Sequence, residues 1–239
     1  MKLKVLGSGS RGNCYILEND TEALIIEAGV SFKEVKKALN FNVRKIVGVL
    51  ISHTHGDHSK YWHEYVMAGI PVFEPYKDGC MSIETSSETF SVKTFELIHD
   101  VPCYGFYITH PEIGSLIYAS DTEYIKYRFK GINHIMVECN YDKQYIRDDA
   151  ANRDHVLEGH MEFQTTKDFL KVNNNPNLQT VVLVHLSTVN GDSVAFHNES
   201  SEIVKCPVWI AEKGLEINLG GSNYEQSYFN GTSDQRSRR

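Results

Sequence analysis

Lys45-Ile46-Val47-Gly48-Val49-Leu50-Ile51-Ser52-His53-Thr54-His55-Gly56-Asp57-His58 is the stretch that decides how this chain reads. Its first half is an apolar, β-branched run, the pattern of a buried strand. Its second half packs four potential metal ligands into six positions, at a strand's C-terminal end, where open sheets place their chemistry. His53, His55 and Asp57 alternate, so an extended or turning backbone carries them together. His58 breaks the alternation, and Gly56 just before the pair lets the chain bend. Imidazoles with a carboxylate suit a borderline divalent ion, zinc first, with manganese or iron as the other options.

The totals narrow the class. The 239 residues suffice for one large domain or two small ones, and 41% hydrophobic with 23% charged residues is ordinary globular composition. No apolar run is long enough to span a bilayer, which takes about 18 residues or more. Met1-Lys2-Leu3-Lys4-Val5-Leu6 enters a strand pattern at once and lacks the features of a secretory signal. Cys14, Cys80, Cys103, Cys139 and Cys206 are odd in number, widely spaced and free of C-x-x-C. That spacing implies reduced thiols and a cytoplasmic protein. A net charge of −7 argues against a broad basic surface for gripping a polymer.

Strands are expected at 2–6, 14–17, 23–26, 45–51, 72–73, 90–95, 104–109, 116–119, 134–137, 180–184 and 208–210. Helices are expected from Ser31 to Leu39, from Lys60 to Ala68 and over 165–172. Ser31 with Glu34 has the spacing of a capping box. Trp62, Tyr65 and Val66 are expected on one buried face. Gly7-Ser8-Gly9-Ser10-Arg11-Gly12-Asn13 is a glycine-rich turn between the first two strands. It reads either as a tight connection or as a phosphate-facing loop. Periodicity supports an α/β class. Residues 1–219 form the domain, and 220–239, ending Arg236-Ser237-Arg238-Arg239, read as a flexible polar tail.

His53-Thr54-His55-Gly56-Asp57-His58 resembles the signature of the metallo-β-lactamase superfamily. That resemblance implies an αββα sandwich, two packed mixed sheets with helices on the outer faces. It also implies two divalent ions, zinc or manganese. His53, His55 and His99 would hold one ion, and Asp57, His58 and His185 the other. Asp121, in a Ser-Asp-Thr step, would serve both. Each of His99, Asp121 and His185 sits at a strand end, and each alone would be an ordinary residue there. Glu27-Ala28-Gly29 departs from the family's usual Asp-Ala-Gly and removes no ligand.

Val137-Glu138-Cys139-Asn140-Tyr141 and Glu158-Gly159-His160-Met161 resemble the paired Glu and His of the phosphodiesterase branch typified by RNase Z. There His160 would protonate the leaving oxygen with Glu138 orienting it, and Asp57 would join them as a catalytic position. Ser10, Arg11, Tyr141 and Ser187 would contact substrate. Lys4 to Asn13, Glu138 to Tyr141 and Val184-His185-Leu186-Ser187 look like the WalJ/YycJ-type group and the related anti-Pycsar phosphodiesterases. The resemblance implies hydrolysis of a 3′,5′-cyclic mononucleotide to a nucleoside 5′-monophosphate, in evasion of antiphage defence. The protein would then act in the host cytoplasm if phage-encoded, as a homodimer and without a membrane. A DNA or RNA exonuclease and a non-catalytic metal-binding module are the alternatives. Cys103 and Cys139 would lie near the site. His63, His110, His134, His155 and His197 fit no motif.

Overall fold

The computed structural model describes residues 1–79, 82–85, 89–146, 157, 159–220 and, by backbone only, 226–228. Cys80, His155, Glu158 and most of the polar tail lie outside the described residues.

Two seven-stranded sheets lie face to face. The first contains β1 (Lys2–Gly7), β2 (Cys14–Glu18), β3 (Ala23–Ile26), β4 (Ile46–Leu50), β5 (Val72–Phe73), β13 (Leu215–Asn218) and β14 (Gln226–Tyr228), in the order β14-β13-β1-β2-β3-β4-β5. The second contains β6 (Ser82–Glu84), β7 (Ser91–Leu97), β8 (Cys103–His110), β9 (Gly114–Ala119), β10 (His134–Glu138), β11 (Thr180–Val184) and β12 (Val208–Ile210). Its order is β12-β11-β10-β9-β8-β7-β6. Helices α1 (Phe32–Ala38), α2 (Gly56–Ser59), α3 (Trp62–Met67), α4 (Pro75–Asp78), α5 (Phe163–Asn173) and α6 (Ser193–Ile203), with 3₁₀ turns at Val43–Lys45 and Lys143–Tyr145, are among the described elements.

Strand alternation explains the layering. Leu3, Val5, Tyr15, Leu17 and Leu24 face Phe90, Val92, Phe106, Tyr118 and Met136 between the sheets. The alternate residues Cys14, Ile16 and Ile25 meet Phe32, Val35 and Tyr65 of α1 and α3 on one outside. Ile117, Ile135 and Val137 meet Phe163, Leu170 and Phe196 of α5 and α6 on the other. Strands buried on both faces have no polar face, which is why β2, β3, β10 and β11 are buried at every residue.

Direction places the site. β3, β4 and β5 run parallel, as do β9 through β12, and the antiparallel pairs around them leave β1 and β7 pointing the same way as their sheet's parallel strands. The C-terminal ends of β1, β3, β4, β7, β9, β10 and β11 therefore share one rim. A bond from Tyr104 N–H to Ser52 O, 3.2 Å, joins the two sheets there.

Two local expectations are corrected. Ser31 precedes α1 but makes no side-chain cap bond; the Phe32 N–H donates instead to Glu64 Oε2 of α3 at 3.0 Å. Docking onto α3 supplies the partner that the capping box would have given. Val66 is 50% exposed while Tyr65 is buried, because a six-residue helix covers only one narrow stripe.

On the outer face of the first sheet, Glu18 is flanked by Lys4 Nζ at 2.6 Å and by Lys45. Burial raises the Glu18 carboxyl, and the two ammonium groups more than offset it, leaving it below the ordinary glutamate value. A depressed folded value gives stability that is full above the unfolded value, about 4.3, and lost as pH falls through the folded one. Glu18→Gln is expected to be less stable at neutral pH in urea unfolding, and the gap to the parent should narrow below about pH 4.5. A gap independent of pH would contradict this.

Candidate metal centre and active site

β4 delivers Ser52 and His53 to the rim on extended backbone. His55 caps α2, whose first turn is closed by His58 N–H and Ser59 N–H donating to His55 O at 3.0 and 2.9 Å. This helical turn separates Asp57 and His58 from the first two histidines. The freedom of Gly56 is not what bends the chain: Gly56 is not left-handed, and a Cβ there would meet nothing within 4 Å.

The structure gathers the seven expected ligands. His53, His55, His99 and Asp121 form one cluster and Asp57, His58, Asp121 and His185 a second, each with its candidate ligand atoms within 4.8 Å of one another. Asp121 Oδ2 lies 3.4 Å from His53 Nε2 and 3.0 Å from His58 Nε2, and its Oδ1 lies 3.5 Å from His185 Nε2. Asp57 Oδ2 is 3.4 Å from His185 Nε2 and 3.5 Å from His58 Nε2, and His55 Nδ1 is 3.2 Å from His99 Nε2. A tetrahedral ion about 2.0–2.1 Å from its ligands sets ligand–ligand edges of about 3.3–3.4 Å. His53 Nε2 is also buried without a hydrogen-bond partner. Spacing, orphaned nitrogen and donor chemistry together fit two divalent ions sharing Asp121.

The charges agree. Burial raises the carboxyls of Asp57 and Asp121, but His185 and His58 hold both well below the ordinary value. Burial pushes His185 down, and Asp121 with Asp57 raises it to about 10. Burial, with His53 and His55 beside it and against Asp121 and Asp100, takes His99 down to about 4. Buried anions at this density call for bound cations.

Further side chains stand behind the ligands. Glu27 Oε1 sits 3.2 Å from His58 Nδ1, and its Oε2 accepts the Ser52 N–H at 3.2 Å. The longer acid thus fixes one ligand ring and the start of the metal loop. Ser52 Oγ lies 2.8 Å and Cys103 Sγ 3.7 Å from His53 Nδ1. Cys139 is buried among core residues instead. Cys14, Cys103, Cys139 and Cys206 are free thiols. Glu27, Asp121 and His185 all adopt left-handed backbone, φ 66°, 53° and 55°, at or just past the ends of β3, β9 and β11. Each costs on the order of 1–3 kcal/mol and turns a side chain toward the rim that an extended strand end would aim elsewhere.

His160 Nδ1 lies 2.7 Å from Glu138 Oε1, and Glu138 Oε2 accepts the Thr122 N–H at 2.9 Å. The His160 ring stacks on His185 with centroids 5.1 Å apart. Burial works against the imidazolium, and Glu138 outweighs it, holding His160 above the ordinary imidazole value. Ser10 and Arg11 are exposed on the glycine-rich turn. Ser187 is half-buried, its Oγ accepting from the Val189 and Asn190 N–H groups. Tyr141 is buried, and burial and Glu162 push its phenol up to about 12.

Residues 7–63 match the model of the metallo-beta-lactamase superfamily. The crystal structure of the metallo-beta-lactamase fold protein YhfI from Bacillus subtilis superposes with a TM-score of 0.66 at 18% identity, covering 91% of this chain and 99% of that one. The fold is the metallo-β-lactamase sandwich. The short form of human tRNase Z superposes on it with a TM-score of 0.59 at 17% identity, covering 92% of this chain and 99% of that one. Among curated proteins, exodeoxyribonuclease YycJ of Bacillus anthracis is 26% identical over 174 residues. The alignment covers 62% of this chain and 66% of that protein, just under two thirds of its length. No helix among the described residues is long and apolar enough to cross a membrane.

Backbone packs on backbone beneath the centre. A Cβ on Gly29 would lie 1.7 Å from Asp57 O and 2.6 Å from Asn13 N. Gly29→Ala is therefore expected to displace the Asp57–His58 segment and weaken zinc binding about tenfold or more in chelator competition. Unchanged affinity would show that the loop holds its geometry without this contact.

Proposed function

We propose that this chain is a dinuclear metal-dependent phosphodiesterase. The observation that carries the reading is the Glu138–His160 pair beside the metal cluster. Hydrolysis of a phosphodiester needs a proton on the leaving oxygen, since an alkoxide is a poor leaving group. His160, whose protonated form is favoured by Glu138 at 2.7 Å and whose ring lies flat against His185, would supply it. Two ions, when bound by His53, His55, His99, Asp121, Asp57, His58 and His185, would activate a water and neutralise charge on the phosphoryl group.

The chain's own residues do the rest. Asp57, kept ionised by His185 and His58, orients the incoming water. Glu138 is anchored by the Thr122 N–H, so it holds one face of the His160 ring. Ser10 and Arg11, exposed on the turn, and the half-buried Ser187 would contact the phosphate. Tyr141, being buried, contributes at most an edge. Tyr124, 55% exposed, offers a face on which a base would stack.

The substrate we favour is small: a 3′,5′-cyclic mononucleotide opened to the 5′-monophosphate, which would silence a defence that signals with it. The net charge of −7 supports this, because tracking a polymer normally requires a basic surface. The likeness to a protein named as an exodeoxyribonuclease favours the second reading, cleavage of DNA from an end.

Zinc- and manganese-loaded protein should convert cyclic CMP, UMP, AMP or GMP to 5′-monophosphates and leave DNA intact. Degradation of DNA alone would replace this reading with the exonuclease. His160→Ala should lower kcat on the active substrate by about 10²–10⁴ with metal content unchanged. Full turnover in that variant would remove His160 from the mechanism.

A further inference from the structure

The glycine-rich turn ends at Asn13, which is fully buried and is bonded through every polar group it has. Its backbone N–H donates to Asp57 O at 2.7 Å, and its carbonyl accepts the Gly29 N–H at 2.9 Å. Its side-chain Oδ1 accepts the Gly9 N–H at 2.7 Å. That bond fixes which way the amide points, because only the oxygen can accept. Nδ2 is thereby aimed at the metal loop, 2.8 Å from His58 Nε2 and 3.3 Å from Asp57 Oδ2. The same turn holds the third ligand of that cluster: Ser8 Oγ accepts the His185 N–H at 2.9 Å and is itself braced by the Tyr15 hydroxyl at 2.8 Å.

The other cluster leans on different groups. His53 Nδ1 rests on Ser52 Oγ at 2.8 Å, and Asp100 Oδ1 lies 3.1 Å from His99 Nε2 and 3.5 Å from His55 Nε2. None of its three histidines has a hydrogen bond from Ser8 or Asn13 among the described residues.

We propose that Asn13 is a positioning residue for one ion only, the one assigned to Asp57, His58 and His185, and that the His53–His55–His99 ion is independent of it. A carboxamide suits the task. It is uncharged, so it adds nothing to an already anionic cluster. Its acceptor is spent on Gly9, leaving a donor that holds Asp57 at Oδ2 without competing as an anion; His58 Nε2 has a single lone pair, which the ion would take, so the 2.8 Å contact with Nδ2 orders that ring only until the ion binds. Asn13→Asp keeps the acceptor and the size but sets a second carboxylate oxygen against Asp57. Asn13→Ala removes both bonds. The turn that carries Ser10 and Arg11 would thus order the second ion's ligands and the phosphate-facing residues together.

The inference rests on the ligand assignment above and not on any activity. Its test is zinc binding to the metal-free full-length protein by calorimetry, with anomalous diffraction at limiting zinc to show which position fills. The parent should take up two ions. Asn13→Ala and Asn13→Asp should keep the His53–His55–His99 ion and bind the other about 10–100-fold more weakly. Ser52→Ala should show the reverse order. Circular dichroism of the metal-free variants checks that they fold. If Asn13→Ala does not, Ser8→Ala, which loses only the hydroxyl behind His185, must weaken the same ion. Equal loss of both ions, or two ions bound as in the parent, would overturn the proposal. Fewer than two ions in the parent would instead overturn the ligand assignment.

Discussion

Everything at the rim answers to one electrostatic demand. Asp57, Asp121, Glu27 and Glu138 bring four carboxylates into a space walled by apolar layers, and Glu27 and Glu138 are entirely buried. Anions so placed are tolerated only when paired. Five of the six histidines there (His53, His58, His99, His160 and His185) have the charge on their rings shifted by those carboxylates or by burial. The shared carboxylate is the pivot. Asp121 lies within 3.5 Å of nitrogen atoms of three histidines, two on the loop after β4 and one at the end of β11, so both sheets contribute.

The fold supplies the rigidity that such a centre needs. Parallel strands in both sheets aim their C-terminal ends at the same rim, and left-handed residues at three of those ends redirect Glu27, Asp121 and His185 inward. Conformational energy is stored where the ligands sit and is offset by the buried layers on either side. The close backbone contacts of Gly29 with Asp57 and Asn13 then lock the metal loop to the glycine-rich turn. The Glu138–His160 pair stands beside this rigid core, tied to it by the Thr122 N–H and by ring contact with His185.

Much of this was legible in the sequence, and the boundary has a physical reason. Ligand chemistry is a property of side-chain type at short spacing, so the run from His53 to His58 announced itself. Strands buried on both faces announced themselves as apolar runs. Glu27 showed as a departure from Asp-Ala-Gly behind the metal loop, whereas Ser8 and Asn13 did not show, because their roles depend on contacts across 45 to 177 positions of chain. The one available signal was a buried-type position for Asn13 after Gly12, beside a turn already suspected of function. Helix α6 was missed because only Phe196 and Ser200 of its eleven residues are buried, which leaves no apolar stripe. Asp192, whose side chain accepts from the Val194 and Ala195 N–H groups, was the cue that would have found its start. β6 is three residues long with one buried, too short to carry a period.

Asp121 is the carboxylate that both ions would share. Anomalous diffraction from crystals of the zinc-saturated protein, collected at the zinc edge, tests this most directly. Two peaks are expected about 3.5–4 Å apart, both in contact with the Asp121 carboxylate. One peak should touch His53, His55 and His99, and the other Asp57, His58 and His185. A single peak, or two peaks of which one does not touch Asp121, would contradict this assignment.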